Sequence, residues 1–536
     1  MYKICLTILW SWFLWCAPGA ALADTETCAA LAASPTEQGQ SGVPFAKIDA
    51  AAAVLACRGA VADDPVDVAS AYRLARALLA SDAGAEALPH VQRAANAGYP
   101  NAHELLGWML FSGSGLSEDR AASYAAYTRA YELGLKTAAY NLGWFHERGV
   151  VVPQDRARAA AYYREAAEAG WHDAALALAQ LLWYGDGVPA DQAEAVHVLR
   201  SASEAGHAPS QATLAMHLMN GDGVPGDDAE GYRLARLAAA EGNGYGAYLA
   251  GFALEHGRGV AADPAAAAAM YERAAEAGDI AGKAALGQIL SQGTGTAPDP
   301  ARARILLEEA AEGGSFEAQA WLGRMLAFGE GGPVDLEAAF ALLEQAEAHP
   351  VSRHARGMMA WIGASVPQDR AGGLALVRAA ADAGLADAQV DAAVLLTSAE
   401  GGEPFRDLRA AISYLAQAAE QDHPRALYLY GSRLFDGDGV ARDTARGLEM
   451  LDSAAALGFE QAIEMAALAR QELQAGREFE EARAALCRVA IRLCNRGCET
   501  RDDGTTIYNT RDGTHWFEES GRLIPSGEAP DYGCPQ

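Results

Sequence analysis

Apolar and small residues recur with helical spacing inside a much longer period. Between Asp155 and Ala169, Tyr162, Tyr163, Ala166 and Ala167 fall on one helix face. That run is one instance of a unit 36 residues long. Glycines closing alanine-rich runs recur at Gly98, Gly134, Gly170, Gly206, Gly242, Gly278 and Gly314. Acidic residues recur in the same register at Asp119, Asp155, Asp191, Asp227, Asp263, Asp299 and Asp335. A small residue recurs at Gly107, Gly143, Ala179, Ala215, Gly251, Gly287 and Gly323. Three columns holding one spacing over seven units predict a stacked helical solenoid. The phase slips through Asp369 and Asp407 and returns at Asp443 and Gly458, so about eleven units fit between 66 and 462, the first of them poor.

Each unit reads as helix, glycine turn, helix, short glycine turn. The Asp column has the chemistry of a helix N-cap, its carboxylate accepting orphan N–H groups at the positive helix end. Asp263-Pro264 and Asp299-Pro300 fit, because proline suits the first helical position. The helix after the cap runs about 15 residues and stops at a glycine suited to a left-handed C-cap. Turns such as Gly-Asp-Gly-Val-Pro at 185–189 and 221–225 separate the two helices. Small columns such as Gly107 and Ala166 let helix backbones approach closely.

Residues 139–170, AYNLGWFHERGVVVPQDRARAAAYYREAAEAG, carry small-x-x-Leu-Gly, a Gly-Val turn, an Asp-started helix, an aromatic pair and Ala-Ala-x-x-Gly. This resembles the Sel1-like repeat family, relatives of tetratricopeptide repeats, and 174–206, 247–278 and 427–458 match nearly as well. The resemblance covers roughly three quarters of the chain. It implies an all-α fold, a right-handed α/α solenoid that binds partners in envelope, secretion or signalling assemblies. The unit at 354–388 lacks the Gly-x-Gly turn, and 389–426 has Glu400-Gly401-Gly402-Glu403 there, so a bend or special surface is expected in these two. Some members carry a cysteine pair in every repeat and are linked to β-lactams; no central repeat here holds a cysteine.

The ends differ. Lys3, the apolar run Ile4 to Trp15 and Ala21-Leu22-Ala23 read as a signal peptide over 1–23, cleaved after Ala23. A lipoprotein reading at Cys16 would want a small residue where Trp15 stands. Residues 24–65 then form an N-terminal cap, 66–462 the solenoid, 463–500 capping helices and 501–536 a short β-hairpin tail around Arg511-Asp512-Gly513. Cleavage leaves Cys28, Cys57, Cys487, Cys494, Cys498 and Cys534. Export favours disulfides, Cys28 with Cys57 and two bonds among the last four, with Cys487 or Cys494 tying Cys534 and the tail. The alternative for the last four is zinc, since Cys494 and Cys498 have roughly finger-like spacing.

Composition narrows the function. The 70 acidic and 41 basic residues leave a net charge of -29, which argues against nucleic acid and anionic membrane surfaces. After signal cleavage no apolar run suits membrane insertion. There is no HExxH, phosphate loop or GxSxG, so no catalytic residue, cofactor or metal is assigned. Histidines such as His103, His146, His217 and His256 read as polar surface cover. The Asp-Gly-Asp-Gly run at 436–439 reads as a turn, not a calcium loop. Binding is better supported. The column Trp108, Trp144, Gln180, Met216, Phe252, Gln288, Arg324 varies beside fixed leucines. Four places earlier stand Glu104, Tyr140, Leu176, Ala212, Tyr248, Ala284 and Ala320. Trp108, Tyr140, Trp144, Trp183, Tyr184, Tyr248 and Phe252 are the candidate partner-binding residues. They either line a concave groove for a protein or peptide or pack between units. The expected function is an exported, non-enzymatic scaffold in envelope assembly or signalling, the rival a cell-wall glycan-binding protein or enzyme.

Overall fold

The computed structural model describes residues 18–37, 42–397, 405–494, 499–500, 506–510, 513–517 and 523–524. It divides into two compact units, Met1–Ala310 and Ala311–Gln536. Within each, antiparallel helix pairs stack into a repeat solenoid. We call the two helices of a pair leading and following.

Before the first pair stand helices Pro18–Ala32, which runs through the expected cleavage point after Ala23, and Ala50–Asp63, with a 3-10 turn at Phe45–Lys47 between them; we refer to this segment as the cap. Cys28 and Cys57, both fully buried, are disulfide-bonded across the two helices. Eleven pairs follow, from Val68–Ala80 with Gly84–Asn96 to Pro424–Asp436 with Thr444–Ala456. One long helix, Glu460–Cys494, closes the stack.

The Asp column does what its chemistry predicts. Ten aspartates, from Asp119 to Asp443, accept the N–H three residues on at 2.9–3.0 Å. Their own N–H groups fasten the inter-helix turn. Asp263 N–H, for instance, donates to the Leu254 carbonyl in the last turn of the preceding helix at 2.9 Å. The glycine after the following helix is required by conformation and not by space. Gly278 has φ +82, and a Cβ there would meet nothing within 4 Å.

The small-residue column has another cause than close backbones in most repeats. A Cβ on Gly143 would lie 2.6 Å from the Tyr163 ring, and one on Gly251 would lie 2.7 Å from the Tyr271 ring. The ring of the following helix lies over the glycine of the leading one. Its phenol then donates to a carboxylate one turn further on, Tyr163 to Glu147 and Tyr271 to Glu255, both at 2.6 Å. Backbone approach does occur where two glycines face each other, at Gly357 with Gly373 and at Gly431 with Gly447.

Leading helices also pack on leading helices of the next pair, as Ala208–Asn220 does on Gly244–His256 and Phe316–Phe328 on Pro350–Ile362. The core between them is mostly alanine and leucine, with Tyr163, Tyr271, Phe145 and Phe435 the largest fully buried rings among the described residues. The two units expected to be irregular keep their helices. Ser365, at φ +57, replaces the second turn glycine of one, and 398–404, with the Glu400–Glu403 turn, lies outside the described residues.

At the C-terminus, β1 (Glu499–Thr500), β2 (Thr506–Thr510), β3 (Gly513–Phe517) and β4 (Leu523–Ile524) form an antiparallel sheet in chain order. The side chains of Cys487 and Cys494, and all of Cys498 and Cys534, lie outside what is described, as does the turn at 511–512.

Candidate partner-binding face

The leading helices carry the face to be tested. Core positions alternate with positions open to solvent, and Gly244–His256 shows the rule. Gly246, Ala247, Leu249, Ala250, Gly251, Ala253 and Leu254 are buried, while Tyr245, Tyr248 and Phe252 keep an open side. The columns of Tyr140 and Trp144 are therefore the outward stripe of their helices.

The rings of that stripe divide in two. Trp108 is 41% exposed and Tyr184 79% exposed. Trp144 is half-buried, meeting Phe111 and Phe145 edge-on at 5.0 and 5.4 Å. Tyr140 lies between Tyr163 and Trp171 at 5.7 and 6.2 Å. Trp183 stacks on the His217 ring at 3.6 Å. Tyr248 is half-buried near Tyr271, and Phe252 stacks on His256 at 4.3 Å. Trp108 and Tyr184 are thus presented, while Tyr140, Trp144 and Trp183 share their area with intramolecular partners.

Two of the expected surface histidines are in the core. His146 is 3% exposed, stacked on Tyr162, and His217 is 5% exposed beneath Trp183. Burial holds both imidazoles below the usual histidine range. One repeat away the equivalent positions are Leu182 and Leu181, both buried, so these rings fill volume that leucine fills elsewhere.

Near the N-terminal cap lies a polar cluster that the sequence pattern did not single out. Arg73 pairs with Glu37, both buried. The Arg76 guanidinium donates to the carbonyls of Ala32 and Val43 at 2.7 and 2.9 Å. Beside it, burial pushes the Glu104 carboxyl up to about 7, the positive charge of Arg76 offsetting this only in part. Burial likewise pushes the phenols of Tyr72, Tyr99 and Tyr127 up.

The second unit carries an ionic network across four consecutive leading helices. Arg324 on Phe316–Phe328 donates to Asp387 on Ala386–Thr397 at 3.2 Å and to Glu330 at 2.9 Å. His423, capping Pro424–Asp436, donates to Asp387 at 3.1 Å. His354 on Pro350–Ile362 and Arg425 both reach Asp391, at 3.0 and 3.1 Å. The His423 bond and the Arg324 charge hold the Asp387 carboxyl down at about 2. The same cap-to-helix bond occurs in the first unit, where His207 reaches Asp173 at 3.2 Å. Among the described residues no group of three or more His, Cys, Asp or Glu could hold a metal ion.

The helix pairs and their outward columns correspond to a known repeat. The Sel1 repeat model matches ten consecutive segments, from 100–135 and 136–171 to 386–423 and 424–459. The chain belongs to the Sel1 repeat family. Among solved structures, a protective antigen of uropathogenic Escherichia coli strains displaying an SLR fold is 28% identical. That match covers 70% of this chain and 80% of the antigen, with a TM-score of 0.48. A Sel1 repeat protein from Oxalobacter formigenes is also 28% identical, over 55% of this chain and 85% of that one, with a TM-score of 0.40. No match was found among curated proteins. Sel1 repeats are scaffolds that typically mediate protein–protein interaction, and no helix among the described residues is long and apolar enough to cross a membrane.

Proposed function

We propose that this Sel1 repeat chain is an exported scaffold whose leading-helix face holds a protein or peptide partner in a cell-envelope assembly or signalling pathway. The observation that carries the reading is the outward column of the first unit. It keeps Trp108 exposed on a framework whose core columns are alanine and leucine. A large ring left partly open on a rigid repeat surface is the kind of group that dominates binding energy. Export draws on Lys3, the apolar run to Trp15 and Ala21-Leu22-Ala23, with cleavage after Ala23, and the Cys28–Cys57 bond suits an oxidising compartment.

Cross-linking in native envelopes, followed by capture from cells carrying the chain with Trp108→Ala and Trp144→Ala, tests the reading. A partner recovered with the wild type and lost with the folded double variant supports it. A chain that retains Met1 in the cytosolic fraction, or a partner bound equally by both forms, overturns it. Recovery of glycan strands in place of protein would move the assignment to the cell wall.

A further inference from the structure

Glu104 stands on the same helix face as Trp108, one turn before it. Its column holds Tyr140, Leu176, Ala212, Tyr248, Ala284, Ala320 and, across the slip in phase, His354, so no other of these positions carries a carboxylate. Many atoms crowd Glu104, yet part of its side chain stays open to solvent. Among the described residues it has no hydrogen bond and no ion pair, in contrast to Glu37 of the cap and to Glu147 and Glu255 on other leading helices. Arg76, whose charge acts on the carboxyl, has its guanidinium committed to two backbone carbonyls of the cap. One turn on from Glu104, on the same helix face, stands Trp108, and Phe45 lies against it. Trp108 is 41% exposed and Phe45, from the cap, 40% exposed, with centroids 5.9 Å apart and planes at 48°.

A carboxylate one helical turn from a wedge of two partly exposed rings is the complement of a flat cation. A guanidinium stacks on ring faces and donates in a fork to a carboxylate, and it sheds its hydration more readily than an ammonium. We propose that Glu104, Trp108 and Phe45 form a receptor for an arginine side chain of the partner, Glu104 accepting from the guanidinium and the rings flanking it. This rests on the reading of the leading-helix face as a partner-binding surface and gives that partner its chemistry. Arg76 and Tyr72 face the carboxyl from Val68–Ala80, and Tyr127 from Arg120–Glu132. Glu104 loses its charge as pH falls through about 7, so capture weakens there.

The test is calorimetric titration of the full mature chain with acetyl-Gly-Arg-Gly-amide and its citrulline counterpart, at about pH 8 and about pH 6. Wild type should bind the arginine peptide in the millimolar range or tighter at the higher pH, and the citrulline peptide at least about tenfold more weakly. Glu104→Gln, checked for an unchanged fold by its melting curve, should lose about tenfold or more and become insensitive to pH. Phe45→Ala, which spares the repeat core, should weaken binding without removing the pH dependence. Equal binding by Glu104→Gln, equal binding of citrulline, or no binding by wild type overturns the proposal. If a partner captured in native envelopes binds Glu104→Gln as tightly as wild type, the arginine receptor is wrong and the scaffold reading stands. If the peptide binds as stated but no partner is captured, the guanidinium site stands and the scaffold reading falls, with the assignment of the arginine to a protein partner.

Discussion

Arg324 and Asp387, 63 residues apart, are joined at 3.2 Å across a whole repeat, since the helix Pro350–Ile362 belongs to the pair between them. A solenoid is held mainly by nearest-neighbour contacts. This pair is an exception, and it ties three consecutive leading helices to one spacing. His354 and Arg425, meeting on Asp391, make a second tie from the middle helix onward.

Asp387 should make the second unit sensitive to acid. Its folded carboxyl sits at about 2, below the ordinary 3.8, so its contribution to stability is complete above pH ~4 and is lost as pH falls towards 2. Its side chain is 40% exposed, and screening reduces the contribution to about 1 kcal/mol. Asp387→Asn should therefore lower the melting temperature at neutral pH, and the gap should close near pH ~2. A gap unchanged across that range would show that Asp387 acts without its charge.

Two glycines separate space from conformation. Gly251→Ala drives a methyl to 2.7 Å from the Tyr271 ring inside the pair, and should cost about 1–3 kcal/mol by overpacking. Gly278→Ala meets nothing within 4 Å but keeps φ +82, and should cost about 1 kcal/mol, the penalty of a left-handed residue with a Cβ. Gly278→Asn should recover part of that, because asparagine tolerates the conformation; Gly251→Asn should be worse than alanine. Chemical denaturation of the four variants gives the order directly.

The periodic part of this fold is legible because every unit repeats the same local solution. The Asp cap, the positive-φ glycine and the alanine faces each depend on neighbours within a few residues or one repeat away. What the Gly143 column accommodates was harder to read, since the Tyr163 ring that needs the space lies 20 positions on in the other helix. The burial of His146 and His217 depends on which ring covers them, and a one-dimensional pattern does not carry that. The Arg324 network runs through repeats matched at 316–349, 350–385 and 386–423. Arg324, His354 and Asp391 stand at different positions within their repeats, so no column of the repeat brings them together. Glu104 stood in the outward column, but its isolation rests on Arg76 turning away to the cap carbonyls.

Glu104 should destabilise the fold as it ionises. Its folded carboxyl sits at about 7, above the ordinary 4.5, so the protonated form is bound more tightly in the folded state. Stability from that proton is complete below pH ~4.5 and is lost as pH rises through about 7. Glu104→Gln removes the charge, so it should melt like wild type near pH ~5 and higher than wild type near pH ~8, by an amount on the order of 1–3 kcal/mol. A variant less stable than wild type at the higher pH would mean that the ionised carboxylate has a stabilising partner.

Trp108 and Trp144 occupy equivalent positions in adjacent repeats, yet they should respond differently to truncation. Trp108 has 41% of its surface open and one ring neighbour, Phe45, which is itself exposed. Trp144 is half-buried and meets Phe111 and Phe145 edge-on, and Phe145 is among the largest fully buried side chains. Trp144→Ala should therefore open a cavity beside that core and cost about 2 kcal/mol or more, whereas Trp108→Ala should cost about 1 kcal/mol or less. Binding should show the reverse order. Trp108→Ala should weaken partner capture by about 2 kcal/mol, roughly thirtyfold, while Trp144→Ala protein that remains folded should retain most of its affinity. Melting and affinity measured on the same two variants decide the matter. If Trp108→Ala lowers the melting point sharply and leaves binding intact, that ring is a packing residue and the partner docks elsewhere.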